Sequence, residues 1–242
     1  MRVSRINEHS VQLTRWPLLF PVNVCLISET DGLTLIDTAV GGSQKGILQA
    51  AAEMNAPISR ILLTHAHGDH VGALDDLREA LPNAEILMTA RTARFLTGDR
   101  SLDPDEDHGK LPGSFTARKT RPDRLIAPGD RIGSLEVVSS PGHSPDHVAF
   151  LDTRDRTLFA GDAFQTRAGV AVSGTMRPLF PFPAMATWDK DVALASARQL
   201  LQLNPTTLAV GHGRFLHDPI AAMTAAIAEV ERRVGVRMRN AS

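Results

Sequence analysis

The sequence predicts an α/β fold in which short buried strands alternate with amphipathic helices. Runs rich in Val, Ile and Leu recur along the whole chain and have the composition of buried strands. Apolar residues at helical spacing follow several of these runs, and glycine closely follows three of them, which allows a sharp turn. The strands are predicted at residues 22–27, 33–37, 60–63, 85–88, 133–139, 147–152, 157–160 and 207–210.

The first predicted elements are a hairpin and a helix. Residues 22–27 and 33–37 flank a turn that ends in Asp31-Gly32, a pair typical of tight hairpins. A helix is predicted after Ser43, which can cap its first turn before the apolar face begins at Ile47. These elements are therefore predicted to begin the fold.

The later part of the chain is predicted to contain two more helices and two irregular segments. One helix is expected to begin at Asp189, and the last is expected between Pro219 and about Arg237. Residues 91–130 show no periodicity and are predicted to form an inserted loop or lid. Residues 164–188 also look irregular. We expect residues 1–242 to form one domain.

Composition excludes several classes of protein. The 242 residues are 43% hydrophobic and 22% charged, as in ordinary globular proteins, and the net charge of -1 gives no basic footprint for nucleic acid. No run approaches the roughly 18 apolar residues of a membrane span, and the N-terminus lacks a signal-like segment. Cys25 is the single cysteine. We expect a cytoplasmic protein that acts on a small molecule, without nucleic acid or membrane; a homodimer stays open.

The most informative stretch lies between a predicted strand and a predicted helix. It contains His65, His67, Asp69 and His70 within six residues. Imidazoles and carboxylates packed this closely would repel one another or waste core volume, whereas together they are ligands that Zn²⁺, Mn²⁺ and Fe²⁺ favour. Turns between strand and helix are where α/β folds collect ligand-binding groups. The stretch predicts a metal site.

Three further ligand-type residues follow predicted strands later in the chain. His143, Asp162 and His212 each come directly after a glycine. Glycine lets the backbone turn sharply and lets a ligand approach a metal without a Cβ clash. One such occurrence would be weak, but three beside the first cluster indicate a site assembled from several strand ends.

These residues together resemble the metallo-β-lactamase fold superfamily of hydrolases. Residues 65–70 match its H-x-H-x-D-H signature, and His143, Asp162 and His212 match its later ligand positions in order. The resemblance extends from the predicted hairpin to the last predicted strand. It implies a four-layer αβ/βα sandwich, with two sheets inside, helices outside and two metals at one edge of the sheets.

The resemblance also implies a role for each ligand. Three ligands are expected for each metal: His65, His67 and His143 for the first, and Asp69, His70 and His212 for the second. Asp162 would bridge the two metals, and Asp37 would support the site from behind the ligands. We expect two divalent ions, zinc in the first place and manganese or iron as alternatives. A hydroxide between the metals would be the nucleophile, since bound metal lowers the pKa of water to roughly 7, and Asp69 could accept the proton that the water loses.

Differences between branches of the family narrow the expected activity. Antibiotic-hydrolysing lactamases lack the bridging aspartate, and glyoxalase II proteins add a helical domain, whereas only about 30 residues follow His212 here. Flavodiiron oxidoreductases replace the second histidine of the motif, which is intact as His67. Quorum-quenching lactonases match the ligands and length but carry a tyrosine after the bridging aspartate. This chain has no tyrosine, and Gln165 is one alternative donor.

The expected function is that of a dinuclear metal-dependent hydrolase of esters, lactones or thioesters. The alternatives are an iron-dependent oxidoreductase similar to persulfide dioxygenases, and a metal-binding protein without catalysis. Because residues 164–188 are apolar yet interrupted by prolines, they are a candidate wall for the substrate pocket, together with the apolar run at residues 16–20. Packing under a long loop is the other interpretation. The candidate pocket residues are Phe164, Gln165, Met176 and Phe182.

Overall fold

Two β-sheets packed face to face form the frame of the protein. The structure, a computed structural model, describes residues 1–106 and 111–241. The first sheet has seven strands in chain order, antiparallel up to β4 and parallel from β4 to β7. Its strands are β1 Arg2–Arg5, β2 Ser10–Arg15, β3 Val22–Glu29, β4 Gly32–Ile36, β5 Ile58–Leu62, β6 Glu85–Thr89 and β7 Arg124–Ile126. The helices between its parallel strands are α1 Gln44–Glu53, α2 Gly68–Val71, α3 Leu74–Ala80 and α4 Ala90–Leu96.

The second sheet has six strands in the order β15-β14-β11-β10-β9-β8. They are β8 Arg131–Ile132, β9 Leu135–Ser139, β10 Val148–Asp152, β11 Thr157–Phe159, β14 Thr207–Ala209 and β15 Leu216–His217. A separate pair of short strands follows β11, namely β12 Phe164–Gln165 and β13 Ala171–Val172. The helices of this half are α5 Phe182–Met185, α6 Lys190–Gln202 and α7 Ile220–Ala241.

The strands of the first sheet alternate between two cores, as a side-chain period of two requires. In β3, Val24 and Leu26 pack with the helices α1, α3 and α4. Their neighbours Cys25 and Ile27 point the other way and pack against the second sheet, including Phe150. The sheets therefore share an inner core, and the first sheet has an outer core of its own.

The second sheet alternates in the same way. In β10, Val148 and Phe150 face the inner core, whereas Ala149 and Leu151 pack with α6 and α7, including Leu200. The order helices, sheet, sheet, helices is the predicted αβ/βα sandwich, so the predicted fold class is confirmed. Among the described residues, no helix is long and apolar enough to cross a membrane.

The predicted insertion is shorter than residues 91–130. The predicted loop begins inside α4, where Thr89 caps the first turn by accepting a hydrogen bond from Thr92 N, and Phe95 is buried. At the far end β7 pairs parallel with β6. Sequence reading missed both because a two-turn helix and a three-residue strand are too short to show a period. The irregular part is about residues 97–123, of which 107–110 lie outside the described residues.

Residues 164–188 contain more regular structure than predicted. They begin with the strand pair β12 and β13, and they include α5, a single turn with Pro183 among its first residues. Proline is compatible with that position because the first N–H groups of a helix have no intrahelical partner. The prolines here begin a helix rather than prevent one.

Candidate metal centre

The ligand-type residues meet where the carboxyl ends of strands from both sheets come together. His65 and His67 lie on the turn after β5, and Asp69 and His70 lie in the single turn of α2. The remaining three residues follow β9, β11 and β14 of the second sheet: His143, Asp162 and His212. The first sheet therefore supplies a compact local motif, and the second supplies one residue from each of three loops.

Three histidines form the first group. His65 Nε2 lies 3.1 Å from His67 Nδ1, which lies 3.0 Å from His143 Nε2. Nitrogens that share a tetrahedral metal at about 2.0–2.1 Å are about 3.3 Å apart, close to these separations. The three rings thus turn one nitrogen each toward a common point.

The second group is joined to the first by Asp162. His212 Nε2 lies 3.3 Å from Asp69 Oδ2 and 3.2 Å from Asp162 Oδ2. Asp162 Oδ1 lies 3.4 Å from His70 Nε2, and Asp162 Oδ2 lies 3.3 Å from His143 Nε2 in the first group. Ligand atoms lie within 4.8 Å of one another in three overlapping sets: His65, His67 and His143; His65, His70 and Asp162; Asp69, His70 and His212.

Hydrogen bonds behind His65 and His70 fix which nitrogen faces the site. The Asp37 carboxylate can only accept; it accepts from Thr64 N at 2.8 Å, Thr64 Oγ1 at 2.8 Å and His70 Nδ1 at 2.7 Å. Because the Thr64 hydroxyl proton goes to Asp37, His65 Nδ1–H must donate to Thr64 Oγ1, 2.9 Å away. Both rings therefore turn Nε2, the nitrogen away from these hydrogen bonds, toward the site.

The same argument holds for the two ligand-type histidines of the second sheet. His212 Nδ1–H donates to the Pro21 carbonyl at 2.7 Å. His143 Nδ1 lies 2.9 Å from Ser173 Oγ, which lies 2.8 Å from Thr187 Oγ1, and Thr187 donates to the Pro183 carbonyl at 2.7 Å. A chain that ends on a carbonyl has one direction, so His143 Nδ1–H is a donor and Nε2 carries the lone pair.

His147 supports Asp162 rather than joining the ligands. Asp162 N donates to His147 Nε2 at 3.0 Å, so that lone pair is already used. His147 Nδ1 lies 2.9 Å from Ser140 Oγ and has the proton to donate to it. His147 therefore holds the backbone of Asp162 in place through this hydrogen bond.

The chemistry of the donors fits divalent metals. Among the described residues, His70 Nε2 and Asp162 Oδ1 are buried side-chain atoms without a hydrogen-bond partner. Leaving such atoms unpaired costs free energy, and a metal bound by both would remove that cost. The candidate ligands are five histidines and two aspartates. Neutral imidazole nitrogens together with carboxylate oxygens are the donors that zinc, manganese and iron sites use.

The protonation of the two groups differs. Burial, reinforced by neighbouring histidines, holds the pKa of His65 well below its usual range, and burial lowers the pKa of His67 to about 4. Burial alone would also lower the pKa of His212, but the Asp162 and Asp69 carboxylates raise it to about 10. Asp162 and Asp37 likewise outweigh burial and hold the pKa of His70 well above its usual range. Metal binding by the second group should therefore release protons.

A cavity of about 570 Å³ opens above these residues. Two carboxylates line this cavity. The Asp69 side chain is 24% exposed and is more accessible than that of Asp162, which is 3% exposed. The lining combines the metal-binding end with an apolar side and a polar side: His67, Asp69, His143, Asp162 and His212; Phe20, Val40, Phe182 and Met185; Ser114, Thr116 and Arg118.

Sequence reading placed the ligand-type residues better than the cavity wall. The structure brings the seven candidate ligands and Asp37 together, and their roles in metal binding stay a prediction. Of the candidate pocket residues, Phe182 lines the cavity, whereas Phe164, Gln165 and Met176 do not. Phe164 and Gln165 form the buried strand β12, and Met176 is 46% exposed elsewhere on the surface. The expectation that these three line the pocket is corrected accordingly.

Phe20 belongs to the apolar run at residues 16–20 that was a candidate for the pocket wall, and it does line the cavity. Its ring centroid lies 5.1 Å from that of His212 and 5.1 Å from that of Phe182. Other residues of the site were not predicted. Arg118 and Ser114 come from the irregular segment, where no local pattern identifies them. Ser173 orients His143 without any sequence signal that distinguishes it from other serines.

The sequence of this chain matches a known family. Residues 18–212 match the family model described as Metallo-beta-lactamase superfamily, and the chain belongs to that superfamily. The match contains every candidate ligand.

Comparison with individual proteins agrees with this assignment. The Bacillus subtilis protein YobT is 48% identical over 231 residues, which cover 94% of this chain and 99% of YobT. Hydroxyacylglutathione hydrolase GloC of Haemophilus influenzae is 30% identical over 72% of this chain and 78% of its own length. The crystal structure of TTHA1623 in a di-iron-bound form superposes with a TM-score of 0.64 at 29% identity, covering 87% of this chain and 96% of that one.

Proposed function

We propose that this chain is a dinuclear metal-dependent hydrolase of esters, lactones or thioesters. The observation that carries the proposal is the position of the Asp162 carboxylate, which contacts His143 in the first group and His212 in the second. A carboxylate between two histidine groups at the floor of a cavity is the arrangement that two-metal hydrolytic sites use.

Two divalent ions held there would polarise a substrate carbonyl and supply a water whose pKa falls to roughly 7. The chain's own residues would do the positioning. Asp162 sets the relation between the two groups, and its backbone is held by His147. The Asp37 network keeps His65 and His70 oriented with Nε2 toward the site. These rings need not rotate when they bind a metal, although His70 would release its Nε2 proton.

Asp69 is the candidate for proton transfer. Its side chain belongs to the second group through His212, yet part of it lines the cavity and can meet a water or a substrate atom. A carboxylate within hydrogen-bond distance of an attacking water can accept its proton. Phe20 and Phe182 line the same cavity, and their rings exclude water from one side of it.

The relatives support a hydrolase and leave the metal open. GloC is named a hydroxyacylglutathione hydrolase, which favours an acyl-transfer reaction to water, whereas the di-iron form of TTHA1623 shows that a similar chain binds two irons. We therefore take zinc as the first metal to test and iron as the second. An oxidoreductase that uses one iron would not need the second group.

The test is a panel of ester, lactone and thioester substrates on protein of measured metal content. Chelator-treated protein would be reloaded with zinc, manganese or iron, and metals would be counted by elemental analysis. We expect two equivalents per chain and turnover that requires both. A stoichiometry that stays at one after reloading, together with oxygen uptake in the presence of a persulfide, would favour the oxidoreductase instead. Two bound metals without turnover of any substrate would favour a non-catalytic metal-binding protein.

A further inference from the structure

The segment after residue 111 lies directly against the ligand motif. Gly68 N donates to the Ser114 carbonyl at 2.6 Å, and His67 forms an isolated β-bridge with Phe115. The Phe115 ring centroid lies 4.6 Å from that of His67. Arg118 follows three residues later, so its backbone is within about 10 Å of Phe115 even if the chain is fully extended. That distance is the length of a small substrate.

The backbone around Arg118 is held in place by two helices outside the site, α3 and α4. Arg118 N donates to the Leu96 carbonyl of α4 at 2.9 Å. The Asp75 carboxylate of α3 accepts from Thr120 N at 2.8 Å, Thr120 Oγ1 at 2.6 Å and Lys119 N at 3.2 Å. The segment thus presents Arg118 from a fixed position, and binding at its side chain need not order the backbone.

The guanidinium of Arg118 brings a positive charge to the cavity. Of the described residues that line this cavity, Arg118 alone is a lysine or arginine. Within residues 1–106 and 111–241 it forms no ion pair, and its Nε is buried without a hydrogen-bond partner. Burial would raise the pKa of Asp75, but hydrogen bonds from Thr120 and Lys119 and the charge of Arg118 lower it. Asp75 is therefore near, but its oxygens are occupied by the backbone of the segment.

We propose that Arg118 forms an anion-binding subsite of this cavity and that the substrate carries a carboxylate. A guanidinium binds a carboxylate with two parallel hydrogen bonds, and Ser114 and Thr116 line the same side with further hydroxyl groups. The apolar residues Phe20 and Phe182 would contact the carbon skeleton. This inference rests on the proposed function for the bond that reacts, but binding at Arg118 is a separate property.

The subsite can be tested with two pairs of probes, in each of which a six-carbon chain ends either in a methyl group or in a carboxylate. The first pair is 4-nitrophenyl hexanoate and the 4-nitrophenyl monoester of adipic acid, compared by kcat/KM. The second pair is hexanamide and the monoamide of adipic acid, compared by calorimetric binding because neither amide needs to react. In the parent protein we expect the anionic member of each pair to be favoured about 10- to 100-fold, the range of a charge-assisted hydrogen-bonded pair.

Three variants separate the subsite from general electrostatics. Arg118→Met keeps an unbranched stem without the charged group and should abolish the preference, mainly through KM. Arg118→Lys keeps the charge and should retain part of it, although it loses the two-pronged geometry. Lys119→Met makes the same change of net charge at a neighbouring exposed residue that does not line the cavity, and should keep the full preference. Thermal melting and metal content would be measured for each.

The outcomes distinguish the subsite from the hydrolase. The subsite would be overturned if the parent protein hydrolyses and binds both members of each pair equally well, or if the preference survives in Arg118→Met. Turnover of either ester would still support the proposed hydrolase. Arg118-dependent binding of the monoamide without turnover of either ester would overturn the hydrolase and support the subsite. A preference that falls equally in Lys119→Met would assign it to overall charge and also overturn the subsite. If Arg118→Met does not fold, the other two variants still test the subsite. The subsite would be overturned if folded Lys119→Met loses the whole preference for the anionic probe while Arg118→Lys keeps it.

Discussion

Replacing Asp37 with asparagine should weaken metal binding while leaving the fold almost as stable. Asparagine has the shape of aspartate but replaces one acceptor oxygen with a donor NH₂ group. Its oxygen must stay opposite Thr64 N, which can only donate, so the NH₂ group faces Thr64 Oγ1 and His70 Nδ1. Thr64 would then donate to His65 Nδ1, and His70 Nδ1 would become an acceptor. Both rings would be left with the proton on Nε2, the nitrogen that should bind metal.

The magnitude follows from the hydrogen bonds that metal binding would have to break. Restoring each ring to its ligand tautomer costs one hydrogen bond, about 1 kcal/mol or somewhat more. Each group should therefore bind metal about tenfold more weakly, at the lower end of the effect of removing supporting hydrogen bonds. The metal-free protein keeps its hydrogen bonds in reversed direction. Its melting temperature should fall by no more than about 4 °C, the effect of about 1 kcal/mol in a domain of this size.

Two controls make this prediction specific. Asp37→Ala removes the carboxylate without forcing the tautomers, so its metal-free form should be less stable than Asp37→Asn but should bind metal more tightly. Asp152→Asn makes the same chemical change at a carboxylate that is 1% exposed and paired with Arg154 away from the site, and should leave metal affinity unchanged. Competitive titration with a metal-sensing dye and thermal melting of chelated protein supply both measurements. Parent-like affinity in Asp37→Asn, or tighter binding there than in Asp37→Ala, would refute the reasoning.

Three further outcomes are expected. Asp162→Ala should lower kcat at least about 100-fold in a folded protein, measured on the best substrate of the panel. The reason is that misplacing reacting groups by about 1 Å has an effect of that size. A parent-like rate would show that Asp162 takes no part in the reaction. Phe182→Ala should flatten the rise of kcat/KM with acyl-chain length, which can reach about 0.8 kcal/mol per buried CH₂, whereas Met176→Ala, away from the cavity, should not; equal slopes in all three proteins would contradict an apolar wall at Phe182. Burial, together with the Asp37 charge, raises the pKa of the Cys25 thiol, so Ellman's reagent should label it only after unfolding, and rapid labelling of the native protein would contradict its place in the inner core.

The strands of the sandwich and the convergence of the candidate ligands could be predicted because their signals are local. β3 and β10 are largely apolar runs, typical of strands buried on both faces, whereas the packing of two sheets between helices is implied by the family resemblance. The motif at residues 65–70 places four candidate ligands within six consecutive residues. The hairpin with Asp31-Gly32 pairs Glu29 with Gly32 as the sequence suggests.

The cavity wall could not be predicted because it depends on which side of a short strand faces inward. Phe164 and Gln165 follow Asp162 closely, and nearness in sequence suggested nearness to the cavity. They enter β12 instead, and both are buried, Phe164 in the core beside α6. Phe20, which is far from Asp162 in sequence, reaches the cavity because β3 begins beside β14, where Asn23 N donates to the Gly211 carbonyl at 2.9 Å. Only the pairing of the two halves reveals such a contact.

The glycines before the later ligands show why the sequence signal there was reliable. A Cβ at Gly211 would lie 2.1 Å from Asp162 Oδ1 and 2.7 Å from the His70 ring, so any side chain would displace two ligands to make room for itself. At Gly161 a Cβ would lie 2.6 Å from His147 Nε2, the atom that accepts from Asp162 N, and the backbone φ of +49° is itself unfavourable for other residues. At these two positions glycine is required because separate ligand loops approach within van der Waals distance of one another. Before His143, a Cβ at Gly142 would instead lie 2.3 Å from the backbone of Ala193 in α6. A glycine directly before a ligand at three strand ends therefore carries information about the tertiary arrangement in purely local sequence.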